Sequence, residues 1–175
     1  MKHIIEAARQ VPVIAETDVL VVGSGPGGLA AALASAREGV DTMLVERFGC
    51  FGGNITAVGV EGIAWYRKEG TVDTEGIGIE FEQRAKSMGA TSPEPQSKSE
   101  AINADMFKHV ADVMVQEAGI HPLLHSLMID TIVEDDQIKG VILHNKSGRQ
   151  AILAKRVIDG SGEADLAVFA DRKRV

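Results

Sequence analysis

The stretch DVLVVGSGPGGLAAALASAREGVDTMLVE, residues 18–46, constrains the fold more tightly than anything else in this chain. Asp18 to Val22 is a short Val- and Leu-rich run, suited to a strand buried on both faces of a parallel sheet. Gly23, Gly25 and Gly28 then occupy the G-x-G-x-x-G positions, with Pro26 and Gly27 between them. A helical segment runs to Gly39, which suits a C-cap, and Val40 to Val45 reads as the next strand, ending on Glu46. Strand, glycine turn, helix, strand and terminal acid together form the dinucleotide-binding fingerprint.

Each position has a physical reason. Gly23 lets the backbone turn sharply out of the strand. Gly25, lacking a side chain, lets a pyrophosphate approach the main chain, and Gly28 lets helix and sheet pack closely. Ala32 and Ala36 continue that close packing at one-turn intervals. Pro26 opens the helix where its missing N–H costs nothing, and the free N–H groups and positive dipole end face the phosphates. Glu46 follows Gly28 at roughly the 20-residue distance that puts a carboxylate beside ribose hydroxyls. The competing reading is a glycine-rich turn in an α/β protein that binds nothing, with Glu46 a solvated strand-end carboxylate.

Beyond this unit, a loop runs from Arg47 to Thr56 with glycines at 49, 52 and 53. Ile77, Phe81, Ala85 and Met88 form an apolar stripe at helical spacing closed by Gly89, predicting a helix over 77–88. TSPEPQSKS, residues 91–99, reads as a polar loop. A second helix is predicted from about Ala104 to Ala118, burying Phe107, Val110 and Met114 and capped by Gly119. The period then becomes that of strands: Leu123 to Val133, Lys139 to Asn145 and Gln150 to Ala154, with Asp135-Asp136 and Lys146–Gly148 as turns of an antiparallel meander. At the start, a short helix over about Ile4 to Arg9 and an extended lead-in through Pro12 are expected. Trp65 and Tyr66 lie in a segment, 57–76, that sequence patterning does not assign.

The chain of 175 residues can hold one domain with a real core. Its net charge of −7 argues against general affinity for nucleic acid or anionic membrane. No apolar run reaches the length of a membrane-spanning helix, and the N-terminus lacks a signal-peptide pattern. A cytoplasmic location is the simplest expectation. The single cysteine, Cys50, excludes an internal disulfide and offers no metal-ligand spacing, so it reads as an inert, partly buried thiol. His3, His109, His121, His125 and His144 fall in no catalytic or metal motif and read as surface or packed histidines. No Ser-His-Asp set or P-loop is visible, and no catalytic acid or base is assigned.

The first motif, Asp18 to Arg47 with Gly52-Gly53, and a second, Val157-Ile-Asp-Gly-Ser-Gly-Glu-Ala-Asp165-Leu-Ala167, together resemble the FAD-dependent oxidoreductases of the glutathione-reductase-like class. The resemblance runs from about Pro12 to Ala170. It implies an α/β, Rossmann-like FAD-binding fold with a parallel sheet, an inserted helical segment and an antiparallel β-meander. One FAD-binding domain over 1–175 is expected: a βαβ unit at 16–53, a mainly helical insertion at 54–118, and the meander with a second FAD loop at 119–170.

The resemblance also implies roles. Gly160-Ser161-Gly162 stands where family members carry a small-residue loop touching the nucleotide, Glu163 stands where an Asp is common, and Asp165 matches the downstream acid. Arg47 would lie beside the adenosine end, Gly52 and Gly53 near the pyrophosphate, Asn54, Ile55 and Thr56 toward the flavin side, and Met128 with its backbone at the adenine edge. Each residue has a mundane alternative: Arg47 as a surface cation, Asn54 and Thr56 as turn residues, Met128 as core, and Asp159 or Ser161 as a helix N-cap. FAD is the expected cofactor and a small molecule the expected substrate. Family members run longer, so the chain is expected to be C-terminally incomplete: a truncated product, a split subunit needing a partner chain, or a shortened form. The expected function is the FAD-binding portion of a flavin-dependent oxidoreductase passing hydride or electrons between substrate and flavin. The alternatives are a non-catalytic FAD- or nucleotide-binding module, and, more weakly, an NAD(P)-dependent dehydrogenase.

Overall fold

The computed structural model describes residues 3–4, 7–62, 75–94 and 99–171. Trp65 and Tyr66 lie outside these residues.

The first strand, β1 (Val13–Val22), runs into helix α1 (Pro26–Arg37) and returns as β2 (Thr42–Val45), parallel to β1 with Val22 opposite Val45. Gly28, Leu29, Ala32 and Leu33 recur at one-turn spacing and form the buried face of α1. Leu29 and Leu33 are fully buried, each contributing about 1.5–3 kcal/mol relative to exposure. Gly39 ends the helix in the left-handed conformation.

Helix α2 (Ile77–Ser87) and α3 (Ala104–Glu117) pack on the same side as α1. Phe81 and Phe107 meet edge-on at 5.5 Å between ring centroids. Asn103 caps α3 by accepting a hydrogen bond from the Met106 N–H at 2.9 Å. Arg37 reaches from α1 to grip both carboxylate oxygens of Glu80 at 2.7 and 2.8 Å. Arg84 bridges α2 to Glu117 of α3. These pairs are solvent-exposed and set helix orientation more than they add stability.

Between α2 and α3 the expected polar loop is instead a short hairpin, β3 (Thr91–Pro93) with β4 (Glu100–Ile102). Ile102 is the reason: it drops into the core beneath α2 and α3, which draws its strand alongside Thr91.

The meander region also departs from expectation. Leu123 to Val133 is not one strand. β5 (His121–Leu123) lies parallel to β2, and β6 (Leu127–Glu134) starts the meander. His125, left-handed at φ 52°, breaks the run, its N–H donating to the Phe48 carbonyl. β7 (Gln137–Asn145) and β8 (Gly148–Asp159) follow. Asp135 and Asp136 are both left-handed, the signature of a two-residue turn matching strand twist.

The six strands form one sheet in the order β5-β2-β1-β8-β7-β6. β5, β2, β1 and β8 are mutually parallel, and β8, β7 and β6 antiparallel. β8 thus belongs to both halves, pairing with β1 from Val13–Ala151 to Val22–Asp159. Along β1, Val21 faces the helices while Leu20 and Val22 join a second cluster with Val141, Leu143, Ile152 and Leu166 of helix α4 (Asp165–Asp171).

The N-terminal helix is not formed in the described residues: His3, Ile4 and Ala7–Pro12 are irregular. Ile4 is 97% exposed, and residues 5 and 6 of the expected helix lie outside the described residues.

Candidate functional site

β1 and β8 end side by side, and their trailing turns make the site. Gly23 follows β1 with φ 92°, and its N–H donates to the Val45 carbonyl at 2.8 Å. Gly160 follows β8, and its N–H donates to the Val22 carbonyl at 2.8 Å. The two turns touch through backbone alone. A Cβ on Gly23 would stand 2.4 Å from the Gly160 carbonyl oxygen, and one on Gly28 would stand 1.9 Å from the Gly23 oxygen. A Cβ on Gly160 would lie 2.8 Å from the Gly23 oxygen and 2.9 Å from the Gly28 Cα. Gly23, Gly28 and Gly160 therefore interlock, and none of the three contacts requires a cofactor.

Gly25 and Gly27 differ. A Cβ at either position would meet nothing within 4 Å, and Gly25 sits at φ −60°, ψ 175°, open to any residue. Here the missing side chains leave space rather than relieve a clash. Gly25 is the N-cap of α1 without a side-chain cap, and no acidic residue occupies the first turn. The Gly27 and Gly28 amides have no preceding helical carbonyl to bond, and the positive dipole end lies at the same place. That combination is a ready anion cradle.

The cradle opens into a cleft of about 490 Å³. Of the residues expected from sequence, Gly23, Gly25, Pro26, Gly27, Gly28, Glu46, Arg47, Gly53, Asn54, Met128, Gly160, Ser161, Gly162 and Asp165 line it. Gly52, Ile55 and Thr56 do not line it, Ile55 being part of the core. Gly52 bonds the Ser24 carbonyl at 2.8 Å, and the buried Thr56 hydroxyl donates to the Phe51 carbonyl. Gly52 thus ties the 47–56 loop to the first glycine turn, while Thr56 fastens that loop on itself. Gly53 completes that contact, since a Cβ there would stand 2.8 Å from the Gly25 Cα.

Glu46 is 4% exposed, and its carboxylate is held from two loops. The Ser24 N–H and hydroxyl donate to Oε2 at 2.7 and 2.6 Å, and the Phe48 N–H donates to Oε1 at 2.8 Å. Arg47 extends over the Phe48 ring, 4.8 Å from its centroid.

Asp159 plays the equivalent part at the second turn. Its Oδ1 accepts from the Ser161 N–H at 3.0 Å and the Ser161 hydroxyl at 2.6 Å, and its Oδ2 accepts from the Leu166 N–H at 3.1 Å. The Asp165 N–H in turn donates to Ser161 Oγ at 3.0 Å. Capping and cleft-lining are thus the same residues at this turn.

Ser24, Phe48, Ser126, Leu127, Val58 and Asp159 line the cleft without having been singled out from sequence. Ser24 occupies a variable position of the glycine motif, and Ser126 and Leu127 lie at the strand break that patterning missed. Asp159 was weighed there only as a helix cap. Among the described residues no histidine lines the cleft, and Cys50 is half-buried with its sulfur 3.7 Å from Thr56 Oγ1. Among the described residues no group of three or more His, Cys, Asp or Glu side chains is placed to hold a metal ion, and no helix is long and apolar enough to cross a membrane.

Comparison with known proteins agrees with this geometry. The FAD dependent oxidoreductase family matches residues 18–174. A thiamine thiazole synthase of Methanococcus vannielii is 31% identical over 159 residues, which cover 84% of this chain and 56% of that protein. One of Archaeoglobus fulgidus is 36% identical over 189 residues, covering 98% of this chain and 66% of that protein. The crystal structure of a geranylgeranyl bacteriochlorophyll reductase-like protein of Thermoplasma acidophilum superposes with a TM-score of 0.67 at 21% identity, over 89% of this chain and 42% of that one. The chain thus spans a little over half to two-thirds of the length of these two curated relatives.

Proposed function

We propose, from the premise that the chain belongs to the FAD-dependent oxidoreductase family, that it is the FAD-binding portion of an enzyme passing hydride or electrons between a small-molecule substrate and flavin. One observation carries the reading. The interlocked turns at Gly23 and Gly160 bring the open Gly25 cradle and the buried Glu46 carboxylate into one cleft. The residues fit the cofactor: uncapped amides suit a pyrophosphate, and a fixed acceptor suits a ribose hydroxyl.

The Gly25, Gly27 and Gly28 main chain would hold the pyrophosphate, and Glu46 the ribose. Arg47 and Met128 would flank the adenosine end, while Gly53 and Asn54 continue the cleft toward the flavin side. The Asp159–Ser161 network would hold the second turn in place against the cofactor. When bound, FAD supplies the redox chemistry, and the protein supplies orientation and electrostatics. The relatives' names point to unlike reactions, so no particular substrate is carried over.

A second reading, an FAD-binding module without catalysis, is favoured by one observation: among the described residues no His, Cys, Lys or Tyr lines the cleft. The visible absorption spectrum of the purified chain, with and without added FAD and followed by acid release of pigment, tests the cofactor assignment. Bound FAD is the expected result, and a colourless chain that takes up no FAD refutes it. Reduction of the bound flavin by a small-molecule donor then separates the enzyme from the module.

A further inference from the structure

We propose that Ser24 is a positioning residue that aims the Glu46 carboxylate, so that a nucleotide ribose is recognised through a single acceptor position. The proposal rests on the FAD reading above. Ser24 is fully buried and gives two donors to one oxygen, Oε2, through its N–H at 2.7 Å and its hydroxyl at 2.6 Å. Phe48 supplies a third donor, to Oε1 at 2.8 Å. An ionised carboxylate has about four lone-pair sites. Three are filled, so one remains, on Oε1.

A nearly buried acid with one open acceptor recognises a hydroxyl only if that acceptor is turned toward the cleft. The terminal torsion of a glutamate is soft, so the orientation must come from its partners. Any residue but proline at position 24 would provide the N–H. The hydroxyl is what this side chain adds, and it closes the second lone pair of Oε2. Without it the carboxylate offers two acceptor positions and is held by one main-chain donor from each loop. The hydroxyl therefore decides how many ribose hydroxyls Glu46 can read, and how sharply.

The test is competition binding of ADP, 2′-deoxy-ADP and 3′-deoxy-ADP to the whole chain, unaltered and as Ser24→Ala and Ser24→Cys. The thiol fills the serine's space but is a weak donor, which separates hydrogen bonding from packing. In the unaltered chain one deoxy analogue binds on the order of tenfold more weakly than ADP, and the other within about twofold. In both variants the larger discrimination falls to about threefold or less, with thermal melting reporting that the fold is kept. Equal penalties for both analogues in the unaltered chain overturn the proposal. So does full discrimination retained in either variant, or a loss of the same factor for all three ligands, which a loosened site would give. An unaltered chain that takes up neither FAD nor ADP refutes the FAD reading, and this proposal with it.

Discussion

Two glycines of one motif should respond in opposite ways to a side chain. Gly25→Val places a side chain where nothing lies within 4 Å, at a backbone conformation that L-residues adopt freely. Two small terms oppose each other in the unliganded chain. Less freedom in the unfolded state stabilises by about 0.4–1 kcal/mol, and a poorer N-cap residue removes a similar amount. For a domain of this size 1 kcal/mol moves Tm by about 2–4 °C, so the melting point without FAD should shift by no more than about 4 °C. With FAD at about 100 times its Kd, binding adds about 2.7 kcal/mol, or about 5–11 °C, to the unaltered chain. Gly25→Val should lose this increment, because its side chain fills the pyrophosphate cradle. Gly28→Ala should do the reverse. Its Cβ would lie 1.9 Å from the Gly23 oxygen, a main-chain atom pinned from the other side by Gly160. Neither can yield cheaply, so the loss should reach the upper part of the overpacking range, about 3 kcal/mol, or about 6–12 °C without any ligand. Thermal melts of the three proteins with and without FAD decide the matter. The reasoning is refuted if Gly25→Val melts as low as Gly28→Ala, or if it keeps the full FAD increment.

Further outcomes follow from the polar groups that hold the turns. Glu46→Ala should weaken more than ligand binding: it strands the Ser24 N–H and hydroxyl and the Phe48 N–H, lowering stability without FAD by about 1–3 kcal/mol, and an unchanged melting point would show that those donors find other partners. Asp159→Ala removes the acceptor for Ser161 and Leu166, so amide exchange at those two residues should speed up while β8 stays protected, at about 1 kcal/mol in stability. Glu82, almost fully buried on α2, has its carboxyl pKa raised, chiefly by burial and further by the charge of Glu100, against a main-chain hydrogen bond from Glu100 and the charge of Lys86. The folded state therefore holds that proton more tightly than the unfolded one, so Glu82 opposes folding at neutral pH and stops doing so as pH falls to the ordinary carboxylate range. Glu82→Gln should raise Tm at pH 7 and leave it nearly unchanged in acid, and an equal effect at both pH values would remove burial of the charge as the cause.

What could be read from the sequence, and what could not, divides along a physical line. Local patterns were sufficient where the chain's own spacing makes the contact. The stripe Ile77, Phe81 and Ala85 is one face of α2, continued by Met88 at its C-cap. Asp135-Asp136 forms its turn from the conformations those residues tolerate. Contacts set by a partner distant in sequence were not legible. His121–Leu123 is too short to declare itself as a strand, and only the open edge of β2 makes it one. Ile102 similarly turns a polar linker into a hairpin by finding a core assembled from three helices. The glycines show the line most clearly. Sequence reasoning assigns the smallness of Gly160 to a neighbouring nucleotide, yet in the structure Gly23 and Gly28 already demand it. The second turn is thus shaped by the first before any ligand arrives, and of the glycines in the first turn, 23 to 28, Gly25 and Gly27 are the two that leave open space for one. A motif read as a list of ligand contacts therefore mixes two functions. Some of its residues build the cleft, others leave it open, and a single substitution at each kind distinguishes them.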